Sequence, residues 1–171
     1  ACMPEHEKKR LLAVAARYGV RVVEDDIFGE YARYSGTGCA SIKAHDEDGI
    51  VIYCSSFSKV ISPGLRIGWI VAGDRRDEVM RARMGQSWGC PPLTQAALAR
   101  MLREASFENH LRRLVRTADQ TRMRALDYIG QHFPSGTRVA RPAYGFLIWL
   151  QLPDGLDALD YYRAALKQRV T

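Results

Sequence analysis

The sequence predicts an α/β chain, on three observations. A helical pattern over residues 5–17 passes directly into a β-branched run, Val20–Val23. Two apolar runs, Val51–Cys54 and Gly68–Gly73, flank a short polar loop and read as neighbouring buried strands. A long helical pattern over 107–133 is then followed by strand-like and helical segments of a second, smaller α+β unit.

Taken in order, Pro4, Glu5 and Glu7 mark a helix start, and Gly19 is a plausible residue just past its end. Glu24-Asp25-Asp26 stands where the first strand ends. Ligands of open α/β sheets sit beyond strand carboxyl ends, so these acids are functional candidates. Solvated loop use is the bland alternative, and for Asp26 it is the favoured one. Residues 29–49 read as an irregular connection, with Tyr31 and Tyr34 packing against it. His45 among Asp46, Glu47 and Asp48 reads as a charged turn, and no metal set is expected. Asp74 is placed to cap a helix carrying Val79, Met80 and Met84 on one face. A further helix follows Pro91-Pro92. The 107–133 helix carries a basic stripe interrupted by Glu108, Asp119 and Asp127, which favours a solvated face over a DNA-binding one. A strand over Gly145–Leu152 and a helix over Asp157–Val170, with Leu159, Tyr162, Ala165 and Leu166 inward, complete the chain.

The chemistry gathers between the two central strands. Ser55, Ser56, Ser58, Lys59 and, past the Pro63-Gly64 turn, Arg66 put hydroxyls, one amine and one guanidinium on a single loop. Hydroxyls and a guanidinium suit a phosphate. A lysine held in a dry pocket can attack a carbonyl and form a Schiff base. That pairing is what a pyridoxal phosphate site needs. The alternative is a surface loop with an unrelated arginine.

Ser56-Phe57-Ser58-Lys59 followed by Pro63-Gly64-Leu65-Arg66-Ile67-Gly68 resembles the lysine motif of fold-type I, class I/II aminotransferases. The resemblance implies pyridoxal phosphate as cofactor, carried by Lys59, with Ser56, Arg66 and Ser58 on its phosphate. It implies a mixed, mostly parallel sheet flanked by helices, whose strand from Gly68 runs antiparallel to its neighbour. The family's Asp-x-x-Tyr motif maps onto Asp25 and Phe28: Asp25 would pair with the pyridine nitrogen, while Phe28 lacks the expected hydroxyl. Pro142-Ala143-Tyr144-Gly145-Phe146 resembles the small-domain motif, with Tyr144 where a glycine is usual. On this basis residues 1–105 form the second half of the cofactor-binding large domain, 106–133 an interdomain helix, and 134–171 the start of the small domain. The family's glycine-rich phosphate loop, ring-stacking aromatic, asparagine and carboxylate-clamping arginine fall outside the matched stretch.

Within that family the acid stretch and the Cys-Ser-Ser-Phe-Ser-Lys run look most like the aminotransferase-like domains of MocR-type regulators of the GntR family. The resemblance then implies sensing of an amine or amino acid, a homodimer, and DNA contact only through an N-terminal domain outside this chain. A free-standing aminotransferase acting on an amino acid is the competing expectation, and a plain structural domain a third.

Composition agrees with a folded domain. Apolar residues make up 47% of 171, and no apolar run has membrane-span length. The net charge of +6 admits an anionic ligand. Four cysteines without CxxC spacing suggest a reduced, cytoplasmic setting. The missing initiator methionine and the helical pattern at the other end suggest part of a longer chain.

Overall fold

The computed structural model describes residues 3–87, 89–104 and 106–170. They fall into two units: residues 1–116 with 143–145, and residues 117–142 with 146–171.

In the first unit, helix α1 (Glu5–Arg17) opens on Pro4 and turns Lys8, Leu12 and Ala15 inward, a spacing that keeps one face buried. It closes as a Schellman motif. Val20 N–H donates to Ala15 O at 2.9 Å and Gly19 N–H to Ala16 O at 3.1 Å, with Gly19 at φ +61°. Strand β1 (Val22–Asp25) follows, then a short helix α2 (Gly29–Tyr34). Strand β2 (Val51–Ser56) leads to the lysine loop with its 3-10 turn Pro63–Leu65, and strand β3 (Gly68–Val71) leaves it. Helices α3 (Arg76–Gln86), α4 (Pro92–Arg103) and α5 (Ser106–His132) complete the order.

The sheet has the order β1-β2-β3. β1 and β2 are parallel, with Asp25 opposite Cys54. β2 and β3 are antiparallel, with Ser56 opposite Gly68. This is the mixed sheet that the sequence predicted. Leu12, Tyr31, Ala32, Val51, Val60, Leu98, Leu111 and Val115 form the buried core of this unit. Tyr31 and Val60 belong to that core, so the segments carrying the candidate site are anchored by burial as well as by the ladder.

The second unit holds the end of α5, a two-stranded antiparallel sheet of β4 (Arg138–Val139) and β5 (Leu150–Gln151), and helix α6 (Ala158–Lys167). Asp157 caps α6 by accepting from Leu159 and Asp160 N–H at 2.8 and 3.1 Å.

Several expectations change. β1 begins two residues later than the sequence suggested, so Glu24 and Asp25 are strand residues. The Glu24 carboxylate is satisfied by Ile42 and Lys43 N–H at 2.6 and 2.9 Å. Asp74 does not cap α3; it forms a forked pair with Arg21, at 2.9 and 2.8 Å. Of the expected Gly145–Leu152 strand, Leu150–Gln151 form the ladder with β4, and Trp149 O accepts from Ala140 N–H at 2.9 Å. Leu159, Tyr162 and Leu166 are exposed rather than inward, because a two-stranded sheet offers little surface to cover them. Met80 and Met84 are likewise exposed. Among the described residues Cys54 and Cys90 are free thiols. Among the described residues no helix is long and apolar enough to cross a membrane.

Candidate functional site

The sheet register gathers the chemistry at one end. β1 ends at Asp25 opposite Cys54, β2 runs two residues further to Ser56, and β3 starts at Gly68 opposite Ser56. Asp25, Ser56 and Gly68 therefore sit on three adjacent strands, spanning about 10 Å of sheet. Lys59 lies three residues beyond Ser56, and Arg66 two residues before Gly68.

The lysine loop is closed by the backbone of Phe57. Its carbonyl accepts from Val60, Ile61 and Ser62 N–H at 3.3, 2.9 and 3.3 Å, and its N–H donates to Ile67 O at 3.1 Å. Its ring packs on Trp69 with centroids 4.8 Å apart. Two side chains from other helices pin the turn. Tyr31 of α2 donates its hydroxyl to Lys59 O at 2.9 Å, and His110 Nε2 of α5 lies 2.7 Å from Val60 O. A carbonyl only accepts, so that His110 nitrogen carries the proton. Burial pushes the Tyr31 phenol up from its ordinary value, which keeps it a neutral donor. The Lys59 backbone is thus fixed while its side chain is exposed. The dry pocket expected around this amine is not formed by the residues described here.

Ser56 and Ser58 are half-buried. Arg66 is exposed and held in the left-handed region, φ +52° and ψ +40°. That conformation costs a non-glycine residue about 1–2 kcal/mol and is a form of strain found at ligand sites. Gly68 is required by close approach: a Cβ there would lie 2.6 Å from Ser55 O.

The two adjacent acids have different surroundings. Asp26 is built into the turn. Its N–H donates to Cys54 O at 2.9 Å, its carbonyl accepts from Ser55 Oγ at 2.8 Å, and its Oδ2 accepts from Tyr53 at 3.1 Å. Gly29 leaves room for that carboxylate, since a Cβ there would sit 2.3 Å from Oδ2. Burial raises the Asp26 pKa, opposed by the Tyr53 hydrogen bond; burial and the Asp26 charge push Tyr53 up to about 12. Asp25 is exposed at the strand end. The arrangement gives Asp26 the structural role that the sequence favoured and leaves Asp25 as the acid facing outward. Phe28 is half-buried, its ring edge-on to Tyr31 at 6.1 Å and beside Gly145.

Sequence reasoning placed Tyr31 against the loop but did not foresee its bond to Lys59. It missed Tyr53 and His110. Tyr53 was legible in part, because strand alternation puts it on the same face as Ser55. His110 carries no local signal, since its partner lies 50 residues away.

Asp25, Ser56, Ser58, Lys59 and Arg66 lie on the strand ends and the loop at the carboxyl end of β1 and β2, next to a glycine that lets backbone approach. This donor set fits an aldehyde-bearing aromatic phosphate, and it defines half of a pyridoxal-phosphate-dependent transferase fold. The chain belongs to the aminotransferase class I and II family, whose model matches residues 1–170. It is 33% identical to the uncharacterized HTH-type transcriptional regulator YjiR of Escherichia coli K12, over 98% of this chain and 36% of that protein. It is 34% identical to aromatic-amino-acid aminotransferase 1 of Thermococcus litoralis, over 91% of this chain and 37% of that protein. Among solved structures, Pyrococcus horikoshii kynurenine aminotransferase in complex with PMP superposes with a TM-score of 0.90 at 34% identity, covering 99% of this chain and 42% of that one. The chain thus spans well under half the length of these relatives. The expected family, fold and cofactor class agree with these comparisons.

Proposed function

We propose that this chain is the Lys59-bearing half of a pyridoxal-phosphate-binding domain that senses an amine or amino acid within a GntR/MocR-type transcriptional regulator. Residues 1–105 then belong to the large domain, 106–133 to the interdomain helix and 134–171 to the small domain. The single observation that carries the regulator reading is Phe28. At the position where the family motif has a tyrosine hydroxyl, this chain has a ring packed on Tyr31, which binds but donates nothing. The likeness to YjiR, a relative named as an HTH-type regulator, supports the same reading.

When bound, pyridoxal phosphate supplies an aldehyde for an amine and a ring that accepts electrons. This chain's residues do the rest. Lys59 provides the amine that anchors the aldehyde carbon, from a turn that Tyr31 and His110 keep still. Asp25, exposed at the strand end, would face the ring nitrogen. Arg66 would neutralise the phosphate, and Ser56 and Ser58 would donate hydrogen bonds that orient it. An amine or amino acid would be sensed at this same place, where the Lys59 side chain is exposed. A homodimer, and DNA contact through a separate N-terminal domain, belong to this proposal.

The test uses the full-length protein. Added pyridoxal phosphate should give a visible absorbance band that Lys59→Ala abolishes, with slow or no conversion of common amino acids. Phe28→Tyr should raise whatever turnover exists by about 100-fold, the lower end for one positioned proton donor. A band that survives Lys59→Ala would remove the site assignment. The second reading, a free-standing aminotransferase, is favoured by the likeness to the P. horikoshii enzyme. Rapid amino-acid conversion by the wild type would decide for it.

A further inference from the structure

Arg66 stands in the left-handed region although it is not a glycine. Such strain persists only where the surroundings fix the backbone from several sides. Before Arg66, Ser62 closes the turn: its carbonyl accepts from Leu65 N–H and its hydroxyl from Gly64 N–H, both at 3.3 Å. After Arg66, Ile67 O accepts from Phe57 N–H at 3.1 Å. The Arg66 carbonyl is met from outside the loop. Cys90, on the connection between α3 and α4, places its Sγ 3.7 Å from Arg66 O, 24 residues along the chain. A carbonyl only accepts, so the thiol is the donor. Cys90 is itself held by both flanking helices. Gln95 of α4 donates to Cys90 O at 2.8 Å, and Arg83 of α3 donates Nη2–H to Cys90 Sγ at 3.8 Å. Cys90 is not core filler. It is half-buried, and with Arg83, Gln95, Ile67 and Gly68 it lines a cavity of about 700 Å³ along β3. Close packing therefore does not account for its place beside Arg66.

We propose that Cys90 is a positioning residue of the candidate phosphate site: its thiol, braced by Arg83, holds the Arg66 carbonyl and so keeps Arg66 in the strained conformation from which its guanidinium serves the phosphate. The peptide unit is planar, so the direction of the Arg66 carbonyl is set by the ψ of Arg66. A donor fixed beside that carbonyl opposes relaxation of ψ to an unstrained value. The Phe57 bond to Ile67 O then holds the next peptide, and the backbone at Arg66 is bracketed from both sides. A guanidinium fork recognises a phosphate through two parallel hydrogen bonds, which demands one orientation of the whole group. A root that wanders spreads the fork over many orientations, and binding energy is spent on gathering it again.

The inference rests on the proposed cofactor site and deepens it. Pyridoxal phosphate, and pyridoxal, which lacks the phosphate, are each titrated into the full-length protein, with binding read from the visible absorbance band. The proteins are wild type, Lys59→Ala, Arg66→Ala, Cys90→Ala and Cys90→Val, and each Cys90 variant combined with Arg66→Ala. Both Cys90 variants remove the donor, and unfolding curves select the more stable of the two. That variant should bind pyridoxal phosphate about threefold more weakly than wild type, the order of one weak hydrogen bond, and pyridoxal equally well. Combined with Arg66→Ala, the same Cys90 change should alter neither affinity, because the residue it acts through is gone. A general loosening of the fold would weaken both ligands alike. Equal weakening of both ligands, no weakening of either, or a phosphate-selective loss that persists without Arg66 would overturn the role of Cys90 and leave the site standing. Wild type that shows no Lys59-dependent band would overturn the site and this inference together.

Discussion

The hydroxyl of Tyr31 donates to the carbonyl of Lys59 at 2.9 Å, so a core side chain of α2 sets the backbone from which the candidate nucleophile projects. Tyr31 is 2% exposed and Val60, the next loop residue, 3%. The side chain of Lys59 is therefore free to move while its root is not. A lysine that must exchange partners benefits from a fixed base, because each geometry it visits is reached from the same starting point.

Tyr31→Phe keeps the packing and removes only the donor. It should cost about 1–2 kcal/mol of stability, the penalty for leaving a buried carbonyl unmet. Urea unfolding of the full-length protein measures this. Cofactor affinity should fall with it, by more than for a matched surface change.

Gly68→Ala drives a methyl to within 2.6 Å of Ser55 O, and the contacted atom is backbone in the central strand. Neither side can yield cheaply. The substitution should destabilise by about 1–3 kcal/mol or more and displace the start of β3. A lowered denaturation midpoint with an unchanged slope is the expected signature.

Arg66 offers a trade. Arg66→Gly relieves the left-handed strain and should stabilise the fold by about 1 kcal/mol. It also removes a guanidinium proposed for the phosphate, so cofactor binding should weaken by at least tenfold. A variant that unfolds at higher temperature yet binds worse would show strain retained for function.

Asp46 governs the entry to β2. Burial opposes its ionisation. The Lys43 ammonium at 2.7 Å and the Val51 and Ile50 amides at 3.0 and 2.9 Å outweigh that and hold its pKa below the ordinary aspartate value. Its folded-state pKa is depressed, so its contribution is fully present above the unfolded value. It is lost as pH falls through the folded one. Asp46→Asn should cost about 1–3 kcal/mol at neutral pH and flatten the acid side of the stability profile. Unfolding midpoints collected from neutral pH downward would show it.

The parts of this fold legible in the sequence are those set by local pattern. The Gly19 helix stop, the two strands around the lysine loop and the long helix all follow from period, caps and turn residues. What escaped was settled by distant partners. β1 takes in Glu24 and Asp25 because β2 supplies a ladder for them and the loop at Ile42 supplies donors for the Glu24 carboxylate. Asp74 abandons a capping role because Arg21, 53 residues earlier, offers it a forked partner. The candidate site follows the same division. Lys59, Ser56 and Arg66 announce themselves by spacing, whereas Tyr53 and His110 find their partners only once the chain has closed on itself.

The pairing of Asp25 with Cys54 and of Ser56 with Gly68 has a further consequence. Side chains in a strand change faces at every residue, so one added or deleted residue within β2 would turn Ser55 and Tyr53 away from Asp26 and carry the lysine turn about 3.3 Å out of line. Over evolutionary time this segment should accept exchanges of residue type far more readily than changes in its length.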